Sequence, residues 1–459
     1  MLTESKCEKI IDEALDLAER ASSKKRPIEL EVTVHSNQES TSRFAGNEMT
    51  QNQSAEMDSL SMRLMVAGRQ VKVTGERMDK TGLTNLLEQG LTCAARLEED
   101  PELWPPAKLN SKRYPGKLPR FRRFDEATAA MSAEKRAEMV RSAVEVASRR
   151  GVSLAGIVSS GDEVTAIGNS RGLRQFCRQS SLEISLTASA GDSTGWAKAF
   201  STKADIDVSA LAERAISKAL AGRMPQDIEP GRYLTILEPS AVLDLLAFLW
   251  WDFAATSHID NLSSLKDKLG TKVFSDKLTI IDDCSHPLQH GLPFDGEGLP
   301  RQSVQLVEEG VFKNIVTGRR SADKLQLPQT NHCLPQPDSM GEMPLNIVVK
   351  GGETSLDDMI ASVGADQEAI LLTRVWYVRE VDPATKLLTG MTRDGTFLVR
   401  DGKIARPIKN LRFNVSLFDL LNNIVALGES VGAAGEEGIP AVVPPMLVKD
   451  FNFTEVTKF

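Results

Sequence analysis

The sequence predicts an α+β protein: an N-terminal region of helix plus antiparallel sheet, then a β-rich C-terminal domain. Three observations predict it. An amphipathic helix opens the chain and strictly alternating strands follow it. The same helix–sheet pattern returns before residue 223, which predicts a structural duplication without a residue-level repeat. Beyond residue 232, strands cluster in runs with hairpin turns between them and helices set apart, which excludes a parallel βαβ sheet.

Taken in order, Cys7, Ile10, Ile11, Ala14, Leu15 and Ala18 recur at helical spacing, so one stripe of the first helix faces a core. Residues 28–34 place Ile28, Leu30, Val32 and Val34 on one face of a strand, and residues 60–66 do the same with Leu60, Met62, Leu64 and Val66. RFAGNEMTQN lies between them and supplies turn residues, Gly46 and Asn47. Residues 101–123 form a connector with five prolines, and from 108 to 123 there are seven basic residues and no acidic one. Only Tyr114 and Phe121 interrupt that run, so it lacks the interleaved stacking platform of a single-strand nucleic-acid binder and reads as a solvated, proline-stiffened connection.

A helix is expected at 132–150, from an N-cap at Ser132 to Gly151, and strands at 152–158, 163–168 and 182–190. Another helix runs from an Asp207 cap to Gly222. Residues 223–232 carry two prolines and a glycine and mark a boundary, giving domains at 1–222 (the connector inside it) and 232–459. The second domain offers a strand at 233–237, a long apolar helix at 240–256, hairpin turns at Glu309-Gly310 and Asp401-Gly402, and a helix at 417–427.

Composition narrows the function. Apolar residues make up 41% of the 459 and charged residues 26%, ordinary globular values. Five widely spaced cysteines make no disulfide framework and fit a reducing cytosol. The net charge of -8 arises beyond residue 229, where 22 basic face 30 acidic side chains, which argues against nucleic-acid binding there. The most apolar stretch, 241–255, is broken by Asp244 and Asp252, far short of the ~20 residues a membrane span needs. A soluble cytoplasmic protein is expected.

No G-x-G-x-x-G or Walker-type pattern is present. One G-x-S-x-G occurs at 428–432, but no histidine follows it, so a serine triad in the required order cannot form. Cys284, His286, His290, His332 and Cys333 make the one cluster of zinc-ligand types. Against a metal stand Pro287, Gly291, Pro293 and Gly296, which cannot sustain the helix that would align His286 with His290. A stand-alone metal-dependent hydrolase using His286, His290 and His332 is kept as an alternative. Asp282, Asp283, Asp295 and Glu297 surround PFDGEG, where paired carboxylates can do acid–base work or simply shape a loop. Cys7, Cys93 and Cys177 read as core or half-buried thiols, and His35 and His258 as isolated surface or cap residues.

The chain resembles the TldD/PmbA family, described first as modulators of DNA gyrase and later as zinc metallopeptidases. The resemblance rests on RFAGNEMTQN (43–52), SRGLRQF (170–176), IIDDCSHPLQHGLPFDGEGLPRQ (280–302), EEGVFKNIVTGRRSADKL (308–325), TRVWYVREVD (373–382) and LVRDGKIARPI (398–408), in that order. It implies that a TldD-type subunit binds zinc through HExxxH and a later cysteine, and that a PmbA-type (TldE) subunit lacks those ligands. The pair is implied to enclose and cut small or unfolded peptides, and is linked to maturing a peptide antibiotic and degrading an antitoxin.

At the position the resemblance assigns to HExxxH this chain has Leu245, Leu246, Ala247, Phe248, Leu249 and Trp250, and at the cysteine position, before GEEG (435–438), it has Ala434. Hydrocarbon side chains cannot ligate a cation. The resemblance is therefore to the PmbA-type subunit, with no catalytic, cofactor or metal residue expected on this chain and zinc expected on the partner. That partner would be an HExxxH-bearing homologue in a heterodimer, or a second copy in a homodimer. A non-enzymatic regulatory or binding protein is the remaining alternative. The chain departs from the family pattern in PFDGEG, in PATKLLTGMTRDG (383–395) and in the histidines of HPLQH.

Overall fold

A computed structural model of the chain describes residues 1–109, 123–436 and 438–457. Most of the basic connector, residues 110–122, lies outside the described residues.

Helix α1 (Glu4–Ala21) is capped by Thr3, whose hydroxyl accepts from Lys6 N, and it buries Cys7, Ile11, Ala14 and Ala18. Strands β1 (Ile28–Ala45), β2 (Glu48–Val66) and β3 (Arg69–Gly75) follow, then α2 (Lys80–Ala94) with an Asp79 cap. After a short turn of helix, α3 (Glu126–Ala129), the pattern repeats: α4 (Ala133–Arg149), β4 (Ser153–Asn169), β5 (Arg174–Ala190), β6 (Ser193–Ser201) and α5 (Val208–Ala221). The six strands form one antiparallel sheet in the order β3-β2-β1-β4-β5-β6. Each half thus runs helix, three strands, helix, and the halves meet at the β1–β4 pair.

Beyond β7 (Gly231–Leu237), α6 (Pro239–Leu246) passes into a 3-10 segment (Ala247–Phe253) and α7 (Ala255–Ile259). A second sheet, β10-β9-β8-β11-β18-β17, joins β8 (Ile280–Asp282), β9 (Val304–Glu308), β10 (Val311–Phe312), β11 (Ile347–Val349), β17 (Val431–Ala433) and β18 (Ala441–Val443). Helices α8 (Arg319–Leu325) and α9 (Leu356–Ala361) lie between its strands in the chain. The third sheet runs β12 (Glu368–Asp382), β7, β19 (Met446–Val456), β15 (Leu411–Ser416), β13 (Leu387–Arg400) and β14 (Lys403–Pro407). Because β12 also pairs with β13, five of these strands close on one another around a core that includes Leu372, Val378, Leu388, Leu411 and Phe413. Helix α10 (Leu417–Asn422) and β16 (Ile424–Leu427) complete the third layer, β16 pairing with β19.

The α+β architecture and the Ser132 and Asp207 caps match the sequence reading. Several elements differ, among them β2 and β5, which begin well before the expected 60–66 and 182–190. Strand β1 continues to Ala45 although its apolar alternation stops at Val34, because β2 and β4 hydrogen-bond it on both sides. The expected strands 152–158 and 163–168 are one strand, β4, which runs through Gly161 for the same reason. The long apolar helix ends at Leu246 and tightens into 3-10 geometry, and residues 424–427 pair as a strand instead of continuing α10. Helix α2 carried Leu83, Leu86 and Leu87 at helical spacing, a signal the sequence reading passed over. No helix among the described residues is long and apolar enough to cross a membrane.

Candidate functional site

Alternation along the strands gives the long sheet two unlike faces. Leu30, Val32 and Val34 of β1, and Leu182, Ile184 and Leu186 of β5, are buried on the helix side. The opposite face carries hydroxyls, amides and a few charges, linked across strands. Thr41 and Ser159 hydroxyls lie 3.0 Å apart, His35 Nδ1 lies 3.2 Å from Thr165 Oγ1, and Gln179 Nε2 donates to Glu163 at 3.1 Å. On β6, Trp196 Nε1 donates to Ser185 and Lys198 pairs with Glu183 at 3.2 Å. Burial holds the His35 imidazole below its ordinary pKa, Glu163 opposing, so it is neutral near pH 7 and can share a proton with Thr165.

A buried ion-pair network ties one end of this face to the C-terminal region. Arg63 of β2 donates to both oxygens of Glu31 at 3.1 Å, and Glu297 lies between Arg63 and Arg319, Arg319 Nε donating to it at 2.8 Å. Burial raises the Glu31 pKa, and Arg63 pulls it back toward the charged form. Arg63, Trp104, Glu297, Arg319, Cys333 and Glu342 line a cavity of about 300 Å³ between the two regions. Asp295 accepts backbone N–H groups from Glu297, Leu299 and Cys333, which is the loop-shaping role. Burial and the neighbouring Glu297 push its carboxyl up to about 7. Glu342 likewise holds Thr256 N, Gly318 N and the Ser321 hydroxyl, and burial raises it.

The histidine and cysteine cluster is spread over separate tasks. His332 is fully buried with both ring nitrogens engaged: Nε2 lies 3.0 Å from Asp282 Oδ1 and Nδ1 lies 3.0 Å from Thr330 Oγ1. Burial disfavours the Asp282 carboxylate, yet His332, Arg301 and the Asn346 amide together outweigh it and the pKa falls below its usual value. The His290 ring lies 4.3 Å from that of Phe200, and burial with Arg123 pushes it down to about 4. His286 Nδ1 accepts from Leu288 N. Cys284 and Cys333 are buried, and burial raises both thiols. Among the described residues no three His, Cys, Asp or Glu side chains are placed to hold a metal ion. The alternative reading of His286, His290 and His332 as a ligand set finds no support in this geometry: Asp282 and Thr330 engage both His332 nitrogens, and the His290 ring packs on Phe200. Ser430, in the G-x-S-x-G match, donates to Val349 O, and a strand rather than a helix leads out of the segment.

The two segments to which the resemblance assigns the metal ligands, α6 and the loop around residue 434, come together. Ser240 donates to Ala434 O at 3.0 Å, and the buried Asp244 accepts from Glu436 N and Gly438 N at 3.1 and 3.0 Å. Leu245 and Leu246 are fully buried and Ala434 nearly so. Asp244 is the carboxylate of this helix, and it serves as a clamp on loop amides. A zinc ion does not fit this donor set. Sequence reading noted Asp244 only as a break in an apolar run.

Two family models match. Residues 124–223 match the PmbA/TldA metallopeptidase central domain and residues 230–455 its C-terminal domain, together more than two thirds of the chain. A metalloprotease of Methanothermobacter thermautotrophicus is 27% identical over 184 residues, covering 38% of this chain and 39% of its own. A TldD homologue from Buchnera aphidicola is 29% identical over 208 residues, 42% of this chain and 41% of its own. The metalloprotease PmbA of Escherichia coli O157:H7 is 27% identical over 173 residues, 36% and 34%. The matched segments thus span less than half of each relative's length. Among solved structures, TldE from Thermococcus kodakarensis superposes with a TM-score of 0.86 at 17% identity, covering 97% of this chain and 100% of that one. A Thermotoga maritima protein described as a modulator of DNA gyrase gives 0.84 at 19%, with the same coverage. At those identities the likeness is one of fold. With both domain models matched along the chain, this protein is a member of the PmbA/TldD family.

Proposed function

We propose that this chain is the non-metal subunit of a TldD/PmbA-type metallopeptidase complex in the cytoplasm. It walls a chamber and holds small or unfolded peptides, by strand addition to a sheet edge, while a zinc-bearing HExxxH homologue cuts them. One observation carries the reading: where the resemblance assigns HExxxH and the later cysteine, this chain has Leu245, Leu246, Trp250 and Ala434, whose side chains are not metal ligands. The hydroxyl- and amide-rich face of the long sheet supports it, because such a surface hydrogen-bonds peptide backbone with little preference for side chains. The likeness of fold to TldE is in keeping with it.

The test mixes the purified chain with and without an HExxxH-bearing relative, measures bound zinc, and follows cleavage of an unstructured peptide. The chain alone is expected to carry no zinc and cut nothing, and the mixture to exceed the relative alone. Stoichiometric zinc or turnover in the isolated chain overturns the reading.

A further inference from the structure

Strand β2 is far longer than the strand that covers it. β3 pairs with residues 60–66 of β2 only, so among the described residues nothing pairs with the outer edge of residues 48–59. Residues 48–58 are exposed without exception. One bulge, at Thr50, lies near the tip, where Arg43 pairs with Gln51 and Phe44 with Met49; residues 51–59 pair regularly with β1. Nine residues at ~3.4 Å each leave about 30 Å of free backbone donors and acceptors.

Natural sheets blunt such edges with lysine, proline, bulges or covering chain. β12 shows the usual devices: beyond its short pairing with β7 it has three register irregularities and carries Arg374 and Arg379. The corresponding stretch of the other half, residues 174–181 of β5, is covered, since Ser180 N donates to Arg123 O and Ser180 Oγ accepts from Asp125 N. Residues 51–59 of β2 contain no lysine, arginine, proline or glycine.

We propose that residues 51–59 of β2 take up an extended polypeptide segment bearing lysine or arginine, as an added strand. The proposal rests on the peptide-holding reading above and names the place and the charge preference. Charge selects the occupant. Glu48, Glu56 and Asp58 are the charged residues of this edge, so a second copy would set carboxylates against carboxylates, whereas a basic segment meets them with opposite charge. Met57, 57% exposed, adds an apolar foothold on the opposite face of the strand from Glu56 and Asp58.

The test uses the full chain and two fluorescent ten-residue peptides of alternating threonine, valine and either lysine or glutamate. The basic peptide is expected to bind about tenfold more tightly at low salt and to slow amide exchange across residues 51–59. A Glu48→Lys/Glu56→Lys/Asp58→Lys variant, confirmed folded by an unchanged melting profile, should invert the preference. Equal binding of both peptides, protection confined to another segment, or protection of 51–59 by the HExxxH relative without peptide each overturns the proposal. Cleavage in the mixture with an unprotected edge removes this inference and leaves the subunit reading standing. Peptide protection at the edge without zinc-dependent cleavage does the reverse.

Discussion

Residues 4–94 and 133–221 each run helix, three antiparallel strands, helix, and each half packs its strands outward from the β1–β4 pair. Each has its own apolar cluster: Leu30, Val32, Leu60 and Leu64 under α1 and α2, and Leu154, Leu182, Ile184 and Leu186 under α4 and α5. They are finished differently at their outer strands. β6 is tied to β13 and the residue-435 loop: Thr194 bonds Asp394, Arg374 lies over Trp196 at 4.6 Å, and Lys198 donates to Gly435 O at 3.1 Å. β3 stops after seven residues and leaves β2 open. The polar residues at one edge thus make an anchor, and the acidic, amide-rich residues at the other remain available. Both halves contact the C-terminal region, the first through Arg63 and Glu297 and the second through β6, but only the first leaves a long stretch of strand edge unpaired among the described residues.

The anchor is the place to break that contrast most severely. Asp394 is buried and accepts from Arg374 Nε at 2.7 Å, while Glu436, the other carboxylate on Arg374, is 41% exposed. Asp394→Ala leaves the guanidinium buried without its principal counter-charge. The expected loss is ~3–5 kcal/mol in urea unfolding, with amide exchange accelerated in β6 but not in β1–β3. A loss under about 1 kcal/mol would mean that β6 is not held by this contact and that the halves differ less than their contacts suggest.

A smaller effect comes from acid. His290 packs on Phe200 of β6, and its folded pKa of about 4 lies below the ordinary 6.5. Between those values the unfolded chain binds a proton that the folded one refuses, so stability falls as pH drops from 6.5 toward 4, by up to ~3 kcal/mol. His290→Asn should flatten that slope in melting curves taken from pH 7 to 4.5. His35, on the open half, is lowered in the same direction with Glu163 opposing, so His35→Gln should change the slope less. Equal slopes would erase the difference between the two seams.

How far these features were legible follows from which side chains carried them. β1 was readable through Val34, where apolar residues alternate, and unreadable beyond, where Ser36, Ser40 and Ser42 turn the same way and are buried. Ser42 is there because Arg136 of α4 donates to it. Serine does not announce a core face. The polar face was invisible for a related reason: each of its residues is ordinary alone, and pairs such as His35 with Thr165 join positions 130 residues apart. The apolar character of Leu245, Leu246 and Ala434 was legible because the residues themselves are apolar, and the structure buries all three. The Asp244 clamp on the amides of Glu436 and Gly438 was not legible, because its partners lie 192 and 194 residues away in the chain.

The least disruptive comparison concerns the two hairpin turns that start the outer edges. Gly46, φ +60, joins β1 to β2, and Gly172, φ +83, joins β4 to β5; a methyl at either would meet no described atom within 4 Å. Alanine at each position therefore costs the left-handed backbone penalty alone, about 1 kcal/mol. Asn47 follows Gly46 at φ +68, as in a two-residue hairpin turn, and its side chain bonds Val152 O and Leu154 N at the start of β4. Gly46→Ala and Gly172→Ala should thus destabilise equally in urea titrations, although two residues join β1 to β2 and four join β4 to β5. The second turn has its own tie, Ser170, whose Oγ accepts from Leu30 N and whose N donates to Leu30 O, so a markedly larger cost at Gly46 would show that the Asn47 bonds hold the open hairpin in line more than Ser170 holds the other. In that case the edge of β2 would be positioned by β4, and the two halves would be coupled at their turns as well as along the β1–β4 pair.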